Sequence, residues 1–464
     1  MVSLLIKNGH VVTDTKSFKS DILVVDGKIG ELGKNLEKVN SRTQIIDANG
    51  LYVLPGGIDA HVHMELLVGG GQYSSDDFET GTRAAIAGGT TSIIDFVTPE
   101  PGQSLIEALK ARKEVAKKSL CDYGLHMSIT SWSKGISKEM QTCVEQEGIP
   151  SFKVYMAYKE TIGLEDAHLI AVMDTAAKLD ARVIIHCEHG EIISYLQRKF
   201  ISESKTAPKY HPLSRPPEVE KEAVVRALMM AKYTRCPLYI VHVSTRDAVD
   251  EIVKARASGK NVLAETCPHH LLLDETEYSR PGFEGAAYVM SPPLRPRHHN
   301  NALWKALKNG DIQVASTDHC PFFMKGQKDR GLDDFTKIPN GVAGVENRMA
   351  LLYTYGVLKK KISLHQWVDI CAAAPAKIFG LYPRKGTITK GADADILLWD
   401  PYAESTISAR THFHNCDTNI YEGFSIKGKP HMVIINGTIA YKTGSLKLEK
   451  GSGRYLYRQL ITSG

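Results

Sequence analysis

Four histidines, an aspartate and a lysine carry the chemistry open to this chain. His61 and His63 stand two apart in Gly56-Gly57-Ile58-Asp59-Ala60-His61-Val62-His63. In a strand, side chains at i and i+2 leave the same face, so both imidazoles aim one way. Two neutral imidazoles converging at a strand end suit a divalent metal ion, although an isolated pair is more often two core or surface histidines. Further candidates recur at the ends of other apolar runs: His186 in Val183-Ile184-Ile185-His186-Cys187-Glu188, His242 in Ile240-Val241-His242-Val243-Ser244, and Asp318 in Ser316-Thr317-Asp318-His319. Lys153 sits inside Ser151-Phe152-Lys153-Val154-Tyr155-Met156-Ala157, where burying an ammonium is costly. Either it snorkels out to a partner, or burial favours the neutral amine, which can add carbon dioxide. The resulting carbamate has two oxygens and can bridge two ions, one with His61, His63 and Asp318, the other with His186 and His242.

Such groups meet only if a scaffold gathers strand ends at one place. Strand candidates fall at 57–63, 91–97, 123–130, 151–157, 182–188, 238–244, 261–267 and 312–319, with helical patterns at 78–88, 104–118, 164–179, 218–233 and 246–258. Eight strands alternating with helices predict a (β/α)8 TIM-like barrel in the α/β class, whose chemistry sits at the C-terminal strand ends. A doubly wound open sheet is the competing arrangement, but no Gly-rich phosphate turn follows the first strand. Residues 1–55 alternate short apolar runs with turns, including the hairpin signal Asp26-Gly27. The same texture returns at Asp395–Asp400 and Met432–Gly437. The two ends therefore predict one smaller β domain, from 1–55 and 385–441, around a barrel at 56–384 and before a tail at 442–464.

Composition narrows the function. The 57 basic and 52 acidic residues leave a net charge of +5, too mild to imply nucleic acid or a membrane surface. No apolar run reaches a membrane span and the N-terminus has no leader pattern, so a cytoplasmic protein is expected. The 8 cysteines include no CxxC, and Cys187 and Cys267 lie in apolar strands, as reduced buried thiols do.

Taken together, these blocks resemble the cyclic amidohydrolase branch of the amidohydrolase superfamily, specifically dihydropyrimidinases and D-hydantoinases. The resemblance runs through Gly56–His63, Asp76-Asp77-Phe78, Gly88-Gly89-Thr90-Thr91, Phe152–Tyr158, Ser291-Pro292-Pro293-Leu294-Arg295, Thr317-Asp318-His319-Cys320 and Pro339-Asn340-Gly341. It implies a barrel with a β-sandwich built from both termini, and two Zn²⁺ ions (Mn²⁺ or Co²⁺ being alternatives). The ligands it implies are His61, His63, N6-carboxylated Lys153, His186, His242 and Asp318. It further implies that Tyr158 hydrogen-bonds the carbonyl oxygen as it becomes an oxyanion, and that Ser291 and Asn340 hold the cyclic amide through backbone groups. A hydroxide shared by the two ions would open a 5,6-dihydropyrimidine or 5-substituted hydantoin to an N-carbamoyl amino acid, with Asp318 carrying the proton to the leaving nitrogen. A homotetramer, with the 442–464 tail between subunits, is implied in the same way.

Other enzymes of this branch differ next to the first ligands. Dihydroorotases place an arginine two residues after the second histidine, where this chain has Glu65 in Met64-Glu65-Leu66-Leu67. The acidic Pro-Gly segment of allantoinases is also missing. Met64, Leu66 and Leu67 are expected against an uncharged ring substituent, and Thr336-Lys337-Ile338-Pro339-Asn340-Gly341 leans towards dihydropyrimidinase. Dihydropyrimidinase-related adaptors share the fold but have lost ligands, whereas here every ligand position is filled. Cys320 is expected to pack, His269 and His270 to follow strand seven without ligating, and His298, His299, His412 and His414 to lie in surface loops.

Overall fold

The computed structural model describes residues 3–68, 71–100 and 102–460. Both ends of the chain enter one nine-stranded sheet, in the order 445–446, 438–442, 425–435, 396–406, 52–55, 3–12, 17–25, 28–33, with 44–47 added on 3–12. The join is the antiparallel pairing of Tyr52–Pro55 with Ile396–Trp399. Asp26 (φ 48°) and Gly27 (φ 78°) form the tight turn anticipated from their types, since a type I′ hairpin turn needs left-handed backbone at both positions. Alternation then sorts the side chains. Leu4, Ile6, Ile22, Val24, Val53, Ile396, Leu398, Met432 and Ile434 close on one another, whereas Leu54, Leu397, Trp399, Val433 and Ile435 turn the other way, into the core shared with the barrel.

The barrel strands are labelled β1 (Gly57–Val62), β2 (Thr90–Val97), β3 (Asp122–Ser128), β4 (Ser151–Tyr155), β5 (Arg182–His186), β6 (Leu238–Ile240), β7 (Val262–Thr266) and β8 (Val314–Ala315). They pair in chain order from β1 to β8. β1 and β8 meet through a bridge between Val62 and His319 and a 2.8 Å bond from His63 N–H to the His319 carbonyl. Arg348, fully buried, stitches the same seam from behind, donating to the carbonyls of Ile58 (2.8 Å) and Ala315 (3.1 Å) and to Thr90 Oγ1 (3.1 Å). Helices fall at Phe78–Ala87, Leu105–Ala116, Asp166–Lys178, Pro217–Thr234 and Arg246–Ala257, each within two residues of its periodic pattern. Ser104 and Thr245 cap two of them with side-chain oxygens, as such residues do at helix N-termini.

Some expectations give way. β6 and β8 are shorter than their apolar runs because His242 (φ 38°) and Asp318 (φ 50°) turn into left-handed backbone, which ends a ladder. His299 and His414 are buried rather than in surface loops: His299 Nδ1 accepts the Arg246 N–H at 2.9 Å, and His414 packs on His319 with ring centroids 5.2 Å apart. His298 is exposed on the helix Arg297–Asn309, and His412 is half-buried, with Nε2 donating to the Cys416 carbonyl. Part of the C-terminal segment also packs on the barrel of the same chain. Tyr455 bridges Tyr123 at the start of β3, and buried Arg458 donates to the Leu125 and Phe379 carbonyls and Ser151 Oγ. Three groups of the barrel thus accept from this guanidinium and dock the segment around it; 461–464 lie outside the described residues.

Candidate metal centre

A cavity of about 650 Å³ opens over the C-terminal strand ends, and His61, His63, Lys153, Tyr158, His186, His242, Ser291, Asp318 and Asn340 all line it. Every residue anticipated for the site therefore reaches one space. His61, His63 and Asp318 bring one donor atom each within 4.8 Å of one another. Asp318 Oδ1 lies 3.1 Å from Nε2 of both histidines, yet His61 Nε2 has no hydrogen-bond partner although it is buried. Opposite them, His186 Nδ1 and His242 Nε2 approach to 3.0 Å. Lys153 is 1% exposed, its Nζ over the rings of Phe96 (5.3 Å) and Tyr155 (5.2 Å).

Electrostatics around these atoms favour a bound cation. Burial holds His63, His186 and His242 below the usual histidine range, leaving neutral imidazoles with lone pairs to give. Burial acts on His61 too, but the nearby Asp318 and Glu265 carboxylates outweigh it and lift it to about 9. Positive charge is wanted where those carboxylates converge. Asp318 itself resists burial and stays ionised far below its ordinary range because His61 and His63 face it. Burial draws Lys153 down to about 8 against the pull of Asp318 and Glu265, so near neutral pH the neutral amine is far more accessible than in a solvated lysine. The histidine and carboxylate donors, with an orphaned Nε2 among them, fit a divalent metal.

Two carboxylates behind the donors escaped the sequence reading. Glu265, fully buried in β7, contacts His61 Nδ1 and accepts from Tyr239 Oη at 2.8 Å. Glu188 Oε2 lies 2.8 Å from His186 Nε2 and 2.5 Å from Arg215 Nη1. A carboxylate on one ring nitrogen fixes the tautomer and frees the other for a metal. Glu265 was findable by the criterion that exposed Lys153, a charged residue inside an apolar strand. Glu188 has no such signal, because it follows its strand and its partner Arg215 is distant in sequence.

The turn after His63 decides what the cavity offers beyond the metal donors. Met64 is fully buried, against the helix Phe78–Ala87, so it does not face a substituent as expected. Leu66, Leu67 and Val68 do line the cavity, with Ile162 and Ile338. Glu65 pairs with Lys118 at 2.9 Å. Arg112 holds the carbonyls of Met64 and Glu65. His269 and His270 are buried in the helix Pro268–Leu272 and are not among the cavity-lining residues, while Cys320 is.

Residues 52–440 match the model of the amidohydrolase family. The chain belongs to that family. Among amidohydrolase relatives, it is 45% identical to a D-hydantoinase of Geobacillus stearothermophilus over 98% of this chain and 96% of that one. It is 42% identical to a dihydropyrimidinase of Rattus norvegicus, over 98% of this chain and 89% of that one. The crystal structure of a dihydropyrimidinase from Brevibacillus agri superposes with a TM-score of 0.98 at 43% identity, covering 100% of both chains. This amidohydrolase barrel thus carries its His-His-Asp cluster in the fold those enzymes use.

Proposed function

We propose that the protein hydrolyses the cyclic amide bond of 5,6-dihydropyrimidines and 5-substituted hydantoins, giving N-carbamoyl amino acids. The observation that carries this reading is the division of one cavity between six converging donors and an apolar wall, with Glu65, at the position of the dihydroorotase arginine, paired with Lys118. Arg330 and Lys337, which also line the cavity, are solvent-exposed. An uncharged ring substituent therefore fits the wall better than the carboxylate of a dihydroorotate.

His61, His63 and Asp318 would hold one divalent ion, Zn²⁺ by donor type, and His186 and His242 the other, with carboxylated Lys153 between. Such ions supply a nucleophilic hydroxide at neutral pH and polarise the ring carbonyl. The lowered pKa of Lys153 supports carboxylation, because only the neutral amine adds carbon dioxide. Asp318 takes the proton of the attacking water and passes it to the departing ring nitrogen. Tyr158, held at φ 58°, donates its phenolic hydrogen to the carbonyl oxygen as charge develops, a contact worth about 3 kcal/mol. Burial raises the Tyr158 phenol against the opposing charge of Arg215, so the donor keeps its proton. Ser291 and Asn340 grip the ring amide. Eight free cysteines, seven of them buried, support a cytoplasmic location. Val225, Met229 and Tyr233 are 44%, 54% and 79% exposed along one helix face and support association of subunits, for which the family resemblance implies a homotetramer.

The test compares kcat/KM for dihydrouracil and 5-phenylhydantoin on zinc-loaded protein. Turnover of either to its N-carbamoyl product is expected. Two bound metals without turnover of either ring would reassign the substrate to other cyclic amides, and no metal with no turnover would return the adaptor reading.

A further inference from the structure

The loops that carry Ser291 and Asn340 are tied together from behind by one buried amine. Lys328 opens the short helical turn Lys328–Gly331 and is 1% exposed. Its Nζ donates to the carbonyls of Val289 at 3.0 Å and Pro339 at 3.3 Å. Among the described residues no carboxylate acts on it, and burial draws it down to about 7. A lysine buried without a counter-ion is costly, so its two carbonyl bonds must offset that cost. Around it the same backbone is fixed further: Val289 also accepts the Gly341 N–H at 3.0 Å, and buried His211 donates from Nε2 to the Met290 carbonyl at 2.7 Å.

Peptide planarity gives these contacts a direction. Across a trans peptide the C=O and the following N–H point opposite ways. Holding the Pro339 carbonyl towards Lys328 therefore turns the Asn340 N–H away from it. Asn340 lines the cavity and Lys328 is not among the residues that do. The His211 contact acts likewise on the peptide that ends in the Ser291 N–H. Freedom to readjust is small, because a side chain at Gly341 (φ 149°) would stand 2.2 Å from the Cys320 carbonyl oxygen.

We propose that Lys328 is a positioning residue for substrate, clamping the loop after β7 to the loop after β8 so that the backbone at Ser291 and Asn340 meets the ring amide in fixed geometry. The inference rests on the function proposed above. A ring amide held equally in ground and transition states affects KM more than kcat.

The test uses Lys328→Met and Lys328→Gln in the full-length, metal-loaded enzyme, with dihydrouracil and 5-phenylhydantoin as substrates. Expected are a KM raised about tenfold for Lys328→Met with kcat within about threefold of wild type, unchanged metal content, and faster amide exchange confined to 289–291 and 339–341. Lys328→Gln keeps a donor for one carbonyl, so an intermediate KM is expected; it carries the test alone if Lys328→Met does not fold. A fall in thermal midpoint with KM and loop exchange unchanged would reduce Lys328 to a packing role and overturn the inference, as would kcat falling in step with lost metal. If wild type opens neither ring, the proposed function fails by itself, and exchange at the two loops alone decides the clamp: local loosening supports it, and none or uniform loosening overturns it.

Discussion

Lys153 shows what one residue decides. A lysine fully enclosed in β4 gives up its proton far more readily than a solvated one because desolvation outweighs two nearby carboxylates. Lys153→Ala is expected to lose metal and at least about a hundredfold in kcat/KM, with part of both restored by a short carboxylic acid that can occupy the space left. Full metal content and activity without any added acid would rule out the bridging carbamate. The sequence exposed this residue because its type contradicts its neighbours. The same contradiction marks Glu265, whereas Glu188 and Arg215 become partners only when β5 and the segment before Pro217–Thr234 meet. Tyr158 likewise came from resemblance, since a tyrosine after an apolar strand is by itself an ordinary core aromatic.

Among the elements, the seam between β1 and β8 is the least regular part of the barrel. β8 has two residues in the ladder, and closure falls to a bridge at Val62, to Asp59, which accepts Thr317 Oγ1 at 2.7 Å, and to Arg348. Arg348 Nε stands 3.7 Å from Asp59 Oδ2. Removing the guanidinium would leave buried Asp59 without its cation and the Ile58 and Ala315 carbonyls without this donor. Arg348→Met is expected to cost about 3–5 kcal/mol, measured as a lowered denaturation midpoint in metal-loaded protein; a loss below about 1 kcal/mol would show that the bridges alone close the barrel. Helix periods and caps were legible locally. The shortness of β6 and β8 was not, because left-handed backbone at His242 and Asp318, costing about 1–3 kcal/mol each, is imposed by surroundings drawn from the whole barrel.

At the scale of the molecule, Glu346 joins the barrel to the segment 412–415. Its Oε2 accepts the Phe413 N–H at 2.7 Å, and burial, helped by the charge of Asp76, raises it to about 8. A folded-state pKa above the unfolded value of 4.5 means that the native state binds the extra proton. That contribution is complete below pH 4.5 and is lost as pH rises through about 8. The thermal midpoint of wild type is therefore expected to decline from pH 5 to 9 more steeply than that of Glu346→Gln. Equal slopes would remove Glu346 from the pH dependence.

By itself the sequence determined the alternating strand–helix order, the β unit made from both ends and six candidate donor residues, because side-chain period and residue type are local properties. Only the tertiary structure decided which candidate donors share an ion's reach, that Met64 leaves the cavity wall while Leu66 and Leu67 stay, that His299 and His414 are buried, and that Arg458 docks on the barrel of its own chain. Each of these depends on which distant segment packs against the residue or supplies its hydrogen-bond partner, and such contacts leave no periodic trace in the chain.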